Sequence, residues 1–199
     1  MTSAKSTTPA RYRVYQFFVA LKAGLPSWGG GVKGGLSLAD AALVTSILPT
    51  TAQQQLFGRM AANDQRHAIA VARTLQQAGH DNLALLQAAL LHDAAKSLGQ
   101  PLIHRVLIVL LEAFWPGALA RLSTPPFPLE LRGDLGPGWR RPFVIHAQHP
   151  ALGAAWAQAA ACEPAAVDLI ARHQDKLQPD SADPQERLLA ALQWADNLN

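Results

Sequence analysis

Hydrophobic positions recur at three- and four-residue spacing along most of the chain, and no stretch alternates with a period of two. The pattern therefore predicts helices throughout and no sheet. Val14, Phe17, Phe18 and Leu21 share one face of an expected helix over 11–25. A glycine-rich linker, PSWGGGVKGG, follows. Further helices are expected over 37–48, from Thr50 or Thr51 to Met60, over 64–79, from Asp81 to Ala94, and over 102–114. Gly79 suits a helix C-terminus. Pro116–Gly117 reads as a break, and residues 123–142 read as a long irregular loop rich in proline and glycine. Helices resume after Pro150, at Pro164, and at Pro184, where Asp183 suits an N-cap and Glu186 completes a capping-box-like pair.

The expectation is an all-α bundle of about seven or eight helices without internal repeats. Residues 1–36 would form a basic helix and linker, and residues 37–199 the main domain. In the linker, the spacing of a phosphate-binding loop is absent.

Composition narrows the function classes. The chain has 199 residues and is 49% hydrophobic and 16% charged, enough to bury a core. One cysteine, Cys162, excludes an internal disulfide framework and cysteine-rich zinc modules. The net charge of +3 is too mild to indicate nucleic-acid binding. The positive charge is concentrated: Lys5, Arg11, Arg13, Lys22 and Lys33 precede the first acidic residue, Asp40. The helix over 11–25 is expected to cap the main domain; the alternative is a basic amphipathic helix in peripheral contact with a membrane surface or nucleic acid. The longest aliphatic run, Val106 to Leu111, is six residues, against the ~20 needed to span a bilayer. No signal peptide is expected, and the expected compartment is a reducing cytoplasm.

The candidate chemistry lies in histidines and aspartates at helical positions. His92–Asp93 ends the apolar stretch LLQAALLHDAAK. A carboxylate there is costly to bury unless paired or metal-bound. His67 lies one helix earlier. Asp196 follows Leu188, Leu189 and Leu192 on the last helix, so it too falls on an inward face. Imidazole and carboxylate suit manganese, iron, zinc and similar ions, and a bundle core is where such folds build metal sites.

The ordered pattern His67, His92–Asp93, Asp196, with Lys96 in HDAAK, resembles the HD-domain superfamily of metal-dependent phosphohydrolases, over roughly residues 60–199. His149 in HPALGA and His173 in IARHQD further resemble the two-metal layout of the bacterial diadenosine tetraphosphate hydrolase branch. The tripeptide of the HD-GYP phosphodiesterases is missing. The resemblance implies that His67, His92, Asp93 and Asp196 hold one divalent ion. Asp93 would bridge to a second ion held by His149 and His173. Asp93 and Lys96 would act in catalysis, and Lys96, Arg66 and Arg172 would contact phosphate. His80, His104 and His146 are expected not to be ligands. Where the family has glycine before the lysine, this chain has Ala95.

The implied activity is hydrolysis of a phosphoester or phosphoanhydride in a nucleotide or small phosphorylated metabolite. Two alternatives use the same fold: a mixed-valent di-iron oxygenase, and a non-catalytic module that binds a nucleotide or a partner. Phe127, Trp139 and Phe143 are candidates either to stack on a base or to pack the loop.

Overall fold

A computed structural model describes residues 35–99, 102–124, 138–178 and 182–199. The expected helix over 11–25, nearly all of the glycine-rich linker, and residues 125–137, Phe127 included, lie outside the described residues. Among the described residues there are nine α-helices and no strand. They are α1 (Leu38–Ile47), α2 (Thr51–Gly58), α3 (Ala62–Gln77), α4 (Leu83–Leu91), α5 (Leu102–Phe114), α6 (Pro116–Ser123), α7 (Arg141–Ala159), α8 (Pro164–Arg172) and α9 (Pro184–Leu198). A 3-10 turn, Ala94–Leu98, follows α4.

The helices fall into two compact units. The larger comprises residues 36–99 and 145–199, with α4 at its centre. Every residue of α4 from Ala84 to Leu91 is buried. A helix apolar on all sides needs neighbours on all sides, and α1, α2, α3, α8 and α9 supply them. Leu85, Leu90 and Leu91 are fully buried, each worth about 1.5–3 kcal/mol relative to exposure. Gln87, the one polar residue of α4, is satisfied at both ends. It donates to the Ile47 carbonyl at 3.3 Å and accepts from the Glu163 amide at 3.0 Å.

The helix ends follow local chemistry. Ser37 caps α1, and its side chain accepts from the Asp40 amide. Thr50 and Gln53 form a reciprocal capping box at α2. Asn82, one residue after the expected start at Asp81, caps α4. Gly79 sits just past α3 at φ +85°, and the His80 amide reaches back to the Leu75 carbonyl at 3.0 Å, a Schellman closure that favours glycine. Asp183 caps α9 as expected. Glu186 does not turn back to form the capping-box pair. It is held by Arg172 and accepts from the Gln178 amide at 3.4 Å.

Several boundaries differ from the sequence expectation, most of all around Pro116 and Pro150. Pro116–Gly117 does not simply end a helix: Pro116 is the first residue of α6, where its missing N–H costs nothing. Of the stretch expected to be irregular, the ends are helical, since α6 runs to Ser123 and α7 begins at Arg141. Pro150 does not start a helix; it lies inside α7. With α6 as an extra helix the described residues hold nine α-helices.

The smaller unit holds, among the described residues, 102–124 and 138–144. Ile108, Leu119 and Phe143 form its core. Arg140 donates to the carbonyls of Arg121, Leu122 and Thr124, closing the C-terminus of α6. His104 sets its ring edge-on to Phe143 at 5.8 Å. Phe143 is therefore a packing residue, while Trp139 is exposed.

A candidate metal centre

All six expected ligands lie in the larger unit; four histidines group around Asp93, and Asp196 lies against His67 and His92. His92 follows the last residue of α4, and Asp93 is the first residue beyond it, at the start of the 3-10 turn. His173 caps α8, Asp196 lies in the last turn of α9, and His67 and His149 project from within α3 and α7. Their donor atoms form two groups, His67–His92–Asp93 and Asp93–His149–His173, with the atoms of each group within 4.8 Å of one another.

The two oxygens of Asp93 divide between these groups. Oδ2 lies 3.6 Å from His92 Nε2 and accepts from Lys96 Nζ at 2.6 Å. Oδ1 lies 3.5 Å from His149 Nε2 and 3.9 Å from His173 Nε2. Asp196 Oδ1 lies beside the two histidines of the first group, 2.9 Å from His67 Nε2 and 3.4 Å from His92 Nε2.

Each buried imidazole is oriented the same way. Nδ1 of His92, His149 and His173 faces the backbone carbonyl three residues earlier, that of Ala89, His146 and Ile170, at 3.1, 2.6 and 2.8 Å. A carbonyl can only accept, so Nδ1 carries the hydrogen and Nε2 points to Asp93. Fixing the tautomer through the other ring nitrogen is the usual support of a metal-ligating histidine.

These side chains fit a cation. Buried polar atoms need partners, and both His92 Nε2 and Asp93 Oδ1 are buried without a hydrogen bond. The Nε2 atoms of His149 and His173 lie 3.2 Å apart. With hydrogen on both Nδ1 atoms, two lone pairs face each other there. The donor set, imidazole and carboxylate without thiolate, suits zinc, iron and manganese. The buried groups formed by His92, Asp93, His149 and His173 could thus hold a metal ion.

Charge sets the protonation states. Burial alone would raise the Asp93 pKa, but His92, Lys96 and His149 hold it well below the usual carboxylate range. Asp196 is likewise held down, against burial, by His67 and His92. Burial pulls His92 down, and the charges of Asp93 and Asp196 outweigh it, so its pKa is raised. Burial lowers His149 despite Asp93. Burial, then the charge on His92, lowers His173 to about 3.

Lys96 is bound to Asp93 as described. Arg172 is occupied by carboxylates: Glu186 holds it directly, with Asp168 at 3.4 Å and Asp175 at 3.7 Å. Arg66 bonds to Asn63 and lines a groove of about 440 Å³ with Asp40, Arg73 and Asn199. His80, His104 and His146 belong to neither ligand group. Two contributions escaped the sequence reading. Gln174 Nε2 comes within 3.4 Å of His149 Nε2, and the His146 carbonyl orients His149. The dipeptide His173–Gln174 was the only available signal for the first.

Comparison of the chain with protein families, with curated proteins and with solved structures finds no match. What can be said of its chemistry therefore rests on the side chains just described.

Proposed function

We propose that this chain is a metal-dependent phosphohydrolase of the HD type, acting on a nucleotide or another small phosphorylated metabolite. The observation that carries the proposal is the division of Asp93, one oxygen toward His92 and the other toward His149 and His173. A carboxylate with a histidine set on each side is the arrangement a bridging ligand needs. His67, His92, Asp93 and Asp196 would hold one ion, and Asp93, His149 and His173 a second. Ions such as manganese or iron supply Lewis acidity and lower the pKa of bound water toward neutrality.

The chain's own residues do the rest. His173 stays neutral at ordinary pH and keeps its Nε2 lone pair available. Asp93 and Asp196 stay ionised. The His67–Asp196 side is the open one, with these side chains 27% and 35% exposed while His149 is fully buried. Substrate would therefore approach from that side. Lys96 is one-quarter exposed and already placed against Asp93. Its ammonium would transfer a hydrogen bond to a phosphoryl oxygen and stabilise the charge that builds there. Arg172 is left out of this assignment because its guanidinium is already committed.

The test is a screen of phosphate esters and nucleotides with the metal-loaded chain, beside Asp93→Ala. The expected result is that the substitution removes metal and turnover together. An Asp93→Ala protein that keeps its metal and undiminished turnover would overturn the proposal.

A further inference from the structure

Each of the three buried imidazoles faces the backbone carbonyl three residues earlier. For two of them that carbonyl lies at a helix end. Ala89 and Ile170 lie in the last turns of α4 and α8, where carbonyls lack a partner further along the helix. His149 has no such end nearby. It lies in the middle of the 19-residue helix α7, where the carbonyl of residue 146 would ordinarily accept from the amide of residue 150.

Residue 150 is proline. It has no N–H, and its ring crowds the carbonyl four residues earlier. That carbonyl belongs to His146, the one that His149 Nδ1 reaches at 2.6 Å. We infer that Pro150 is a positioning residue: having no N–H to offer the His146 carbonyl four residues earlier, it leaves room there for His149 Nδ1, fixes His149 as the Nδ1–H tautomer and turns Nε2 toward Asp93 and His173. The inference rests on the reading of His149 as a metal ligand. Proline in a helix interior is destabilising, so its presence beside a buried, oriented imidazole has a cost that the ligand geometry accounts for.

A role of this kind sets stability against ligation. Pro150→Ala restores the amide, which then competes with the imidazole for the His146 carbonyl. Alanine is also the better helix residue, so the variant is expected to fold. In the metal-free protein the thermal midpoint rises. The nitrogen chemical shifts of His149 show the Nε2–H tautomer gaining at the expense of Nδ1–H. With manganese as the probe, the second equivalent binds roughly 10- to 100-fold more weakly, the usual effect of losing such a support. A merely structural proline would move stability and affinity in the same direction.

An unchanged tautomer with an unchanged second equivalent would overturn the inference, as would loss of stability together with loss of metal. A wild-type chain that takes up no manganese would remove the phosphohydrolase reading. The tautomer comparison needs no metal and would still decide the role of Pro150.

Discussion

His149 and His173 bring their Nε2 atoms to 3.2 Å while each ring's Nδ1 donates to a carbonyl behind it. Both rings are kept neutral by burial. Two lone pairs at that distance repel, and an ion bound to both would replace the repulsion with two bonds of about 2.0–2.1 Å for a metal such as zinc. The metal-free protein gains nothing from this pair. His173→Gln should therefore leave the metal-free thermal midpoint nearly unchanged, while removing much of the rise that manganese produces. In the wild type that rise corresponds to about 2.7 kcal/mol at a free metal concentration 100 times Kd. A variant with the full metal-induced rise would contradict the assignment.

Ala95 stands where the HD pattern has glycine, and the space for its methyl group comes from the opposite helix. A Cβ built on Gly153 of α7 would meet Ile170 Cγ2 at 3.3 Å, the His92 carbonyl at 3.7 Å and the Ala95 Cβ at 3.9 Å. Ile170 and Ala95 are both fully buried. Gly153→Ala gains about 1 kcal/mol of helix propensity and loses about 1–3 kcal/mol to overpacking. A net loss of about 1 kcal/mol is expected in chemical denaturation. Ile170→Leu removes the methyl on Cβ, so the double variant should lose less than the sum of the two single changes. Simple additivity would show that this contact is not the constraint.

Arg172 illustrates a residue whose neighbours in sequence suggest substrate and whose neighbours in space suggest structure. Glu186 is buried, and Arg172 is the cation that compensates it. Removing one member of a buried pair costs about 3–5 kcal/mol, less here because the guanidinium is partly exposed. Arg172→Ala should lower stability by about 1–3 kcal/mol, with metal stoichiometry intact and KM changed by less than about threefold. Unchanged stability with a KM raised about tenfold would return Arg172 to the phosphate.

Cys162 is buried, and burial raises its thiol from 9.0 to about 11. The folded state therefore holds the proton more tightly than the unfolded chain. The stabilisation is complete below about pH 9 and disappears as pH rises through about 11. At pH 8 the native thiolate should be about 100-fold scarcer than in the denatured chain, and alkylation by iodoacetamide slower by about that factor. A native rate near the denatured one would show the thiol to be accessible and unshifted. Denaturation at pH 8 and pH 10.5 should favour the wild type over Cys162→Ala more at the lower pH.

The centre was legible because its residues obey helical phase. His92–Asp93 continues an apolar helix, and Asp196 falls one turn after Leu192 on a buried face. The same phase relation carries His67 inward from α3. Pro150 reads in the sequence as a helix start because proline normally marks one. Here it lies inside α7, four residues after the carbonyl that His149 Nδ1 reaches. The role of the His146 carbonyl is legible only once Pro150 is placed inside a helix, four residues after it. The partners of Arg172 were not legible either, since Glu186 lies 14 residues away on another helix. The helix α6 was missed because Pro116–Gly117 reads as a stop, although proline is equally suited to a first turn.

The most direct test of the account is the metal content per chain of protein purified without chelator, measured beside Asp93→Ala. The account predicts close to two equivalents of an ion such as manganese or iron in the wild type, and loss of both ions in the variant, because Asp93 belongs to both ligand groups. A wild-type chain without metal, and without uptake on reconstitution, would contradict it.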